Sequence, residues 1–333
     1  MEGVTLLLVV VIVLAIAFDY INGFHDTANA IATSVATRAL HPRQAIVMAA
    51  AFNFIGAFAG TAVAKTIGSG LVREETTTQG VVVAALVGAI VWNLITWARG
   101  LPSSSSHALI GGLIGATLIA SGAGALQVDG IVGKVLVPMV ISPLIGFAGA
   151  FVLMLGIYWG FRNAQRRPLG RIFRRLQVVS AGFMAFSHGS NDAQKTMGII
   201  TLALFSAGVI DDVTVPTWVI VVAATALSLG TAIGGWRIMR TMGHRVADLE
   251  PVHGFAAETT AATILFTTAH FGIPVSTTHV ISSAIMGVGS SRGPRGVRWG
   301  VARSILGAWV VTIPAAALVA AVTWVVLNLV GLG

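Results

Sequence analysis

Gly100-Leu101-Pro102-Ser103-Ser104-Ser105-Ser106-His107 interrupts one apolar run of this chain, and Gly272-Ile273-Pro274-Val275-Ser276-Thr277-Thr278-His279 interrupts another in its second half. A second pair of signatures precedes them in the same order: Gly23-Phe24-His25-Asp26-Thr27-Ala28-Asn29 and Gly189-Ser190-Asn191-Asp192-Ala193-Gln194-Lys195. Carboxylates and hydroxyl runs are costly inside apolar segments, so they mark function by default. Such interruptions, duplicated in order along an apolar chain, are the pattern of a secondary transporter assembled from two repeats.

Composition sets the class. The 333 residues are 56% hydrophobic and 10% charged, with a mean hydropathy of +0.88. Soluble domains carry about 25% charged residues, so the chain reads as an all-α polytopic membrane protein. Its 39 glycines suit helices that pack closely in lipid. The absence of cysteine excludes disulfides, zinc thiolate sites and cysteine nucleophiles. Val4 to Phe18 lacks a basic flank and a small-residue cleavage site, and reads as a transmembrane helix instead of a removable signal. The net charge of +8 comes from arginines clustered in short loops, which the positive-inside rule explains without any nucleic-acid partner.

Apolar spans run over 4–37, 45–67, 80–98, 104–122, 131–160, 177–206, 216–236, 254–270, 275–290 and 300–331. Breaks are expected near Asn22-Gly23 in the first and near His188-Gly189 in the sixth. Arg38 and Arg43, the linker 162–175, the cluster Arg237, Arg240 and Arg245, and the cluster Arg292, Arg295, Arg298 and Arg303 belong on the cytoplasmic side, which puts both termini outside. The opposite loops hold Glu74, Glu75, Asp129, Asp211 and Asp212, with Arg73 their only arginine, and Lys65 and Lys134 end spans on that same side. Counting spans against these loops gives the two halves opposite topology. The expected organisation is a first repeat over 1–161, a basic cytoplasmic linker over 162–175 and an inverted second repeat over 176–333. Each Gly-x-Pro break between short arms predicts a helical hairpin, because non-helical backbone is tolerated at membrane depth where protein or a cavity surrounds it.

The chemistry follows from residue types. Proline ends one helix and serine caps the next, so each hydroxyl run opens a helix with surplus amide and hydroxyl donors. Ser103, Ser104, Ser105 and Ser106 from one repeat, with Ser276, Thr277 and Thr278 from the other, therefore form a candidate site for a compact tetrahedral oxyanion. Hydroxyls that only cap or pack helices are the alternative. Asp26 and Asn29, at i and i+3, share a helix face and offer hard oxygen ligands for a sodium-type ion; no other metal site is indicated. In the second repeat Asn191 and Asp192 are present, but Lys195 stands where Asn29 stands in the first. An ammonium there can pair with Asp192 as a tethered cation, or take part in proton coupling. His107 and His279 follow the two hydroxyl runs, and His25 and His188 flank the acidic motifs; orientation of neighbours and proton transfer are both open for them. Glu258, aligned with Leu86 in the first half, is a further candidate for proton coupling, with a structural role near its helix terminus the alternative.

Phe18-Asp19-Tyr20-Ile21-Asn22-Gly23-Phe24-His25-Asp26-Thr27-Ala28-Asn29-Ala30, Ser187 to Lys195 and the two Gly-x-Pro-hydroxyl-hydroxyl-hydroxyl-His elements resemble the paired signatures of the inorganic phosphate transporter (PiT) family. The resemblance covers the whole chain. It implies an inverted-repeat helical transporter that moves phosphate with a cation, with Asp26, Asn29 and Asp192 on cation or coupling positions and the hydroxyl runs on phosphate positions. Asp192-Ala193-Gln194-Lys195 departs from the Asp-x-Ala-Asn of sodium-coupled members and is similar to the bacterial low-affinity branch. That branch implies proton coupling, with a divalent metal–phosphate complex as a possible cargo. Sodium–phosphate and proton–sulfate symport remain alternatives, and an intramembrane hydrolase is a remote one because Ser106 and His107 are sequence neighbours that point apart on a helix. The expected partners are inorganic phosphate and membrane lipid, without an organic cofactor. The expected location is the cell (inner) membrane, with self-association into a homo-oligomer open.

Overall fold

The computed structural model describes residues 2–333, which are helical apart from turns and two isolated β-bridges. In the first half, α1 (Glu2–Ala36) leads to α2 (Pro42–Gly56) and the short α3 (Ala62–Ser69). The hairpin of α4 (Gln79–Arg99) and α5 (Ser105–Ser121) follows, then α6 (Val128–Ile131), a π-helical turn and α7 (Val137–Gly160). The second half repeats this order. It contains α8 (Arg166–Ser206), α9 (Thr217–Ile233) with the short α10 (Trp236–Arg240), the hairpin of α11 (Pro251–His270) and α12 (Thr277–Ser290), and α13 (Trp299–Leu329). Even the isolated bridges correspond, Val72 with Leu126 in one half and Ala247 with Val297 in the other.

Leu6–Ala36, Gln79–Arg99, Val128–Gly160 and Trp299–Leu329 are each long and apolar enough to cross a membrane. Thr217–Ile233 with Trp236–Arg245 passes as one span bent by 59°. Long exposed apolar rows on α7 and α13, among them Leu144, Val152, Val310 and Leu318, suit a lipid-facing surface. The halves interlock: α7 packs on α12 and α11, while α13 packs on α5 and α4. Likewise α1 packs on α9, and α8 on α2. Each half therefore completes the other, and α1 and α8 lie in contact at the centre.

The breaks expected at Asn22-Gly23 and His188-Gly189 do not occur; α1 and α8 run unbroken through both. The glycines serve close helix approach. A Cβ on Gly23 would lie 2.3 Å from the Leu227 carbonyl oxygen of α9, and one on Gly189 would lie 2.2 Å from the Asn53 carbonyl oxygen of α2. Small residues let backbones meet where lipid supplies no hydrophobic drive between helices. The real interruptions lie between α2 and α3, at Gly234-Gly235 between α9 and α10, and at the two hairpin turns. Gly100 and Gly272 close the arms α4 and α11 at φ of +63° and +67°, the left-handed region that glycine adopts without penalty. The basic linker is also more ordered than its composition suggests, since α8 begins at Arg166.

Candidate functional site

The turns 100–104 and 271–276 deliver the N-termini of α5 and α12 to the faces of α1 and α8. Ser104 accepts a hydrogen bond from the His107 amide at 3.1 Å, and Ser276 accepts one from the His279 amide at 3.2 Å. These two hydroxyls are helix caps, worth about 1 kcal/mol each. Helix capping is thus the contact made by one residue of each run. Ser103 donates to Thr96 of α4 at 2.8 Å and lies 3.5 Å from His25 Nε2. Ser105 has no hydrogen-bond partner, and Ser106 receives the Lys195 ammonium. Thr277 and Thr278 both accept from the Asn29 amide, at 3.2 and 2.9 Å.

The acidic motifs meet these hydroxyls from the other side. Thr277 Oγ1 lies 3.4 Å from Asp26 Oδ2 and 3.5 Å from Asp192 Oδ2, so one threonine spans both repeats' carboxylates. His25 Nδ1 lies 2.7 Å from Asp26 Oδ1, and its Nε2 lies 3.1 Å from Thr96 Oγ1. His188 Nε2 lies 3.2 Å from Asp192 Oδ2, while its Nδ1 faces Asn53 Oδ1 at 3.1 Å. Lys195 is ion-paired with Asp192 and reaches the Val275 carbonyl at 3.3 Å. Asn22 donates to Asp192 at 3.4 Å. Ligand atoms of Asp26, His188 and Asp192 all fall within 4.8 Å of one another, a spacing able to hold a cation.

Equivalent residues of the two halves touch here. The His107 and His279 rings meet edge to face at 4.7 Å between centroids, and His279 stacks on Trp309 at 3.9 Å. None of the predicted site residues, from Ser103 through His279, exposes more than 2% of its surface, so the cluster is sealed from both ends. Ser105 Oγ, Asn29 Oδ1, His107 Nδ1 and both amide atoms of Asn191 are among its buried polar atoms without a hydrogen-bond partner.

Glu258 is the predicted residue that lies apart. It accepts hydrogen bonds from Thr33 of α1 and from Ser180 and Gln177 of α8, the last at 3.3 Å. Thr37 donates to the same Gln177 at 2.7 Å. By the motif alignments, Thr33, Gln177, Ser180 and Glu258 stand where Ile199, Val11, Leu14 and Leu86 form apolar packing in the other half. The four polar residues replace four apolar ones as a set.

Sequence reasoning missed Thr96, Asn53 and Thr231 as supports of the site. Asn53 donates to Thr231 Oγ1 at 2.8 Å and orients His188. A lone Asn inside the apolar span 45–67 was the available signal. Thr96 and Thr231 carry none, since single threonines are common in membrane helices.

A sealed polar cluster at the meeting point of two helical hairpins, inside an apolar helical shell, defines a membrane transporter. The phosphate transporter family model matches residues 22–169 and 161–320. The chain is 46% identical over 333 residues to a probable low-affinity inorganic phosphate transporter of Bacillus subtilis (strain 168), covering 99% of this chain and 100% of that protein. It is 49% identical over 326 residues to a protein of the same description from Rhizobium meliloti (strain 1021), covering 97% of each. A solved structure described as the sodium-dependent phosphate transporter superposes with a TM-score of 0.89 at 26% identity, over 97% of this chain and 99% of that one. This chain belongs to the phosphate transporter family, whose members are transporters and not enzymes.

Proposed function

We propose that this protein takes up inorganic phosphate across the cell membrane by proton-coupled symport. In this reading residues 1–161 and 176–333 are inverted repeats that exchange access around one central site. Both termini lie outside and the basic segment 162–175 lies inside. Ser105, Ser106, Thr277 and Thr278 supply neutral donors to the phosphate oxygens from the two hairpins, and Lys195 supplies the one fixed positive charge. Neutral donors suit a cargo that must also leave.

The observation that carries the choice of coupling ion is Lys195. Its ammonium pairs with Asp192 and reaches Ser106 and the Val275 carbonyl, occupying the place where Asn29 leaves room for a cation in the other half. A tethered ammonium takes the place of one bound cation. The remaining negative charge at Asp26, in contact with His25, is then neutralised by a proton, with Glu258 as a further proton carrier. Phosphate travels free or as a neutral complex with a divalent metal, for which Asp26, His188 and Asp192 offer ligand atoms.

Sodium coupling is the second reading, supported by the printed description of the structural neighbour and by the free Oδ1 of Asn29 beside Asp26. Uptake of labelled phosphate into proteoliposomes separates the two. An inward proton gradient without sodium should drive accumulation. A strict requirement for sodium would overturn the proton assignment, and preference for sulfate over phosphate would overturn the cargo. Varying magnesium in the same assay tests the metal complex.

A further inference from the structure

The central site is sealed, yet open cavities end at both hairpin turns, and cations line all of them. A cavity of about 650 Å³ reaches the turn 271–276 at Phe271 and Gly272, and one of about 500 Å³ adjoins it through Ala62, Lys65 and His270. Lys134 faces the second of these, and Ser190 and Gln194 of α8 line the first. Those two residues bracket Asn191 and Asp192, and Gln194 directly precedes Lys195. At the turn 100–104 a smaller cavity of about 220 Å³ is lined by Arg99, Arg237, Arg240 and Arg245. No carboxylate is among the described residues lining any of the three.

The two ends share a construction. Thr66 donates to the Gly272 carbonyl at 2.7 Å, and Thr241 donates to the Gly100 carbonyl at 2.9 Å. In each case the residue before the threonine, Lys65 or Arg240, is a cation on the cavity wall beside the turn. The arginines at one end satisfy the positive-inside rule, but Lys65 and Lys134 lie at the end where that rule asks for none. The chain contains three lysines among its 20 cationic side chains: Lys65, Lys134 and the buried Lys195. Lysine is a compact point charge that grips an oxyanion less rigidly than the arginine fork, as a relay requires.

We propose that Lys65, Lys134 and His270 form a second oxyanion site, an outer vestibule that concentrates phosphate ahead of the sealed centre. It rests on the phosphate-transport reading above. A cleft lined by one sign of charge raises the local concentration and arrival rate of its counter-ion, steeply so at low ionic strength. His270 adds an imidazole beside Lys65 on the wall shared by the two cavities. Gln194, on the vestibule wall, accepts the Val63 amide at 2.8 Å, tying the start of α3 to the residue that precedes Lys195.

The test is the paired substitution Lys65→Gln with Lys134→Gln, both at exposed positions, in phosphatidylcholine proteoliposomes. At sub-saturating phosphate and low salt, uptake should fall by roughly 3- to 10-fold, and the deficit should close at about 0.5 M salt. The double Arg substitution should restore most of it. Unchanged uptake at low salt, or a deficit indifferent to salt, would overturn the vestibule. A deficit confined to vesicles containing phosphatidylglycerol would assign the lysines to lipid headgroups and likewise overturn it. A separate readout does not depend on transport: inorganic phosphate should protect Lys65 of the wild-type protein from an amine-acylating reagent, mapped by mass spectrometry. Absence of protection counts against the vestibule even if uptake is normal. Wild-type protein that takes up no phosphate while Lys65 is protected refutes the transport reading alone.

Discussion

Lys195 donates its ammonium to the Asp192 carboxylate one turn earlier on α8, and neither side chain exposes more than 1% of its surface. The counterparts on α1, Asn29 and Asp26, contain no such cation, and Thr277 touches both halves of the comparison. The centre of the molecule is therefore built as a symmetric frame around an asymmetric charge.

Lys195→Asn removes that charge and leaves a buried carboxylate without its partner. Breaking a buried pair from one side costs about 3–5 kcal/mol, unless another cation takes the vacated place. The expected result is weak proton-driven uptake, with a thermal unfolding temperature that sodium chloride raises and choline chloride does not. Unfolding curves in the two salts, beside uptake with and without sodium, read this directly. A variant indifferent to sodium with normal uptake would refute the tethered-cation role.

Asp26→Asn and Asp192→Asn preserve shape while removing one negative charge each. Each should lower coupled phosphate uptake by about 100-fold, because the charge compensating the coupling ion is lost. Size-exclusion profiles and helical circular dichroism should stay as in the wild type for Asp26→Asn, whereas Asp192→Asn leaves the buried Lys195 ammonium without its carboxylate and should also lose about 3–5 kcal/mol of stability. Near-normal uptake by either variant would show that its carboxylate is dispensable.

Glu258→Gln keeps the side-chain volume and can still engage Thr33, Ser180 and Gln177. Its thermal stability should stay within about 1 kcal/mol of the wild type, while proton-driven uptake falls. Glu258→Leu, which copies Leu86 of the other half, strands Gln177 and Ser180 and should cost about 1–3 kcal/mol in addition. Equal stability of the two variants would mean that the four polar residues do not act as a set.

Gly189→Leu tests the reassignment of the motif glycines from helix breaks to helix contacts. A larger side chain must push α8 away from the Asn53 backbone, at a cost of about 1–3 kcal/mol or more. Unfolding in detergent should shift down clearly, whereas the same change at Gly156, which has open space around it, should be nearly silent. Matching shifts at the two positions would remove the packing argument.

The sequence already contained much of the architecture. Apolar spans of sufficient length announced membrane helices, because lipid leaves backbone groups no partners but their own. Gly-x-Pro followed by hydroxyls announced the hairpins, since proline ends one helix and serine caps the next. It misled at Gly23 and Gly189, where glycine is ambiguous in one dimension: the same residue permits a break or a close contact, and only the neighbour decides. The neighbours are Leu227 and Asn53, each far away along the chain.

The candidate site divides in the same way. Residue types and spacing singled out Asp26, Asn29, Asp192, Lys195 and both hydroxyl runs as candidates before any coordinates, because charge and hydroxyl groups are conspicuous against an apolar background. Which hydroxyls cap helices, as Ser104 and Ser276 do, and which face the carboxylates, as Thr277 does, depends on the direction of each side chain. That direction is set by contacts between elements up to 251 residues apart along the chain. Composition and local pattern thus determined the class, the duplicated order of the motifs and the candidate residue types. Tertiary packing alone decided that the two acidic motifs share one threonine, that Glu258 stands in a separate polar pocket, and that the site is closed at both ends.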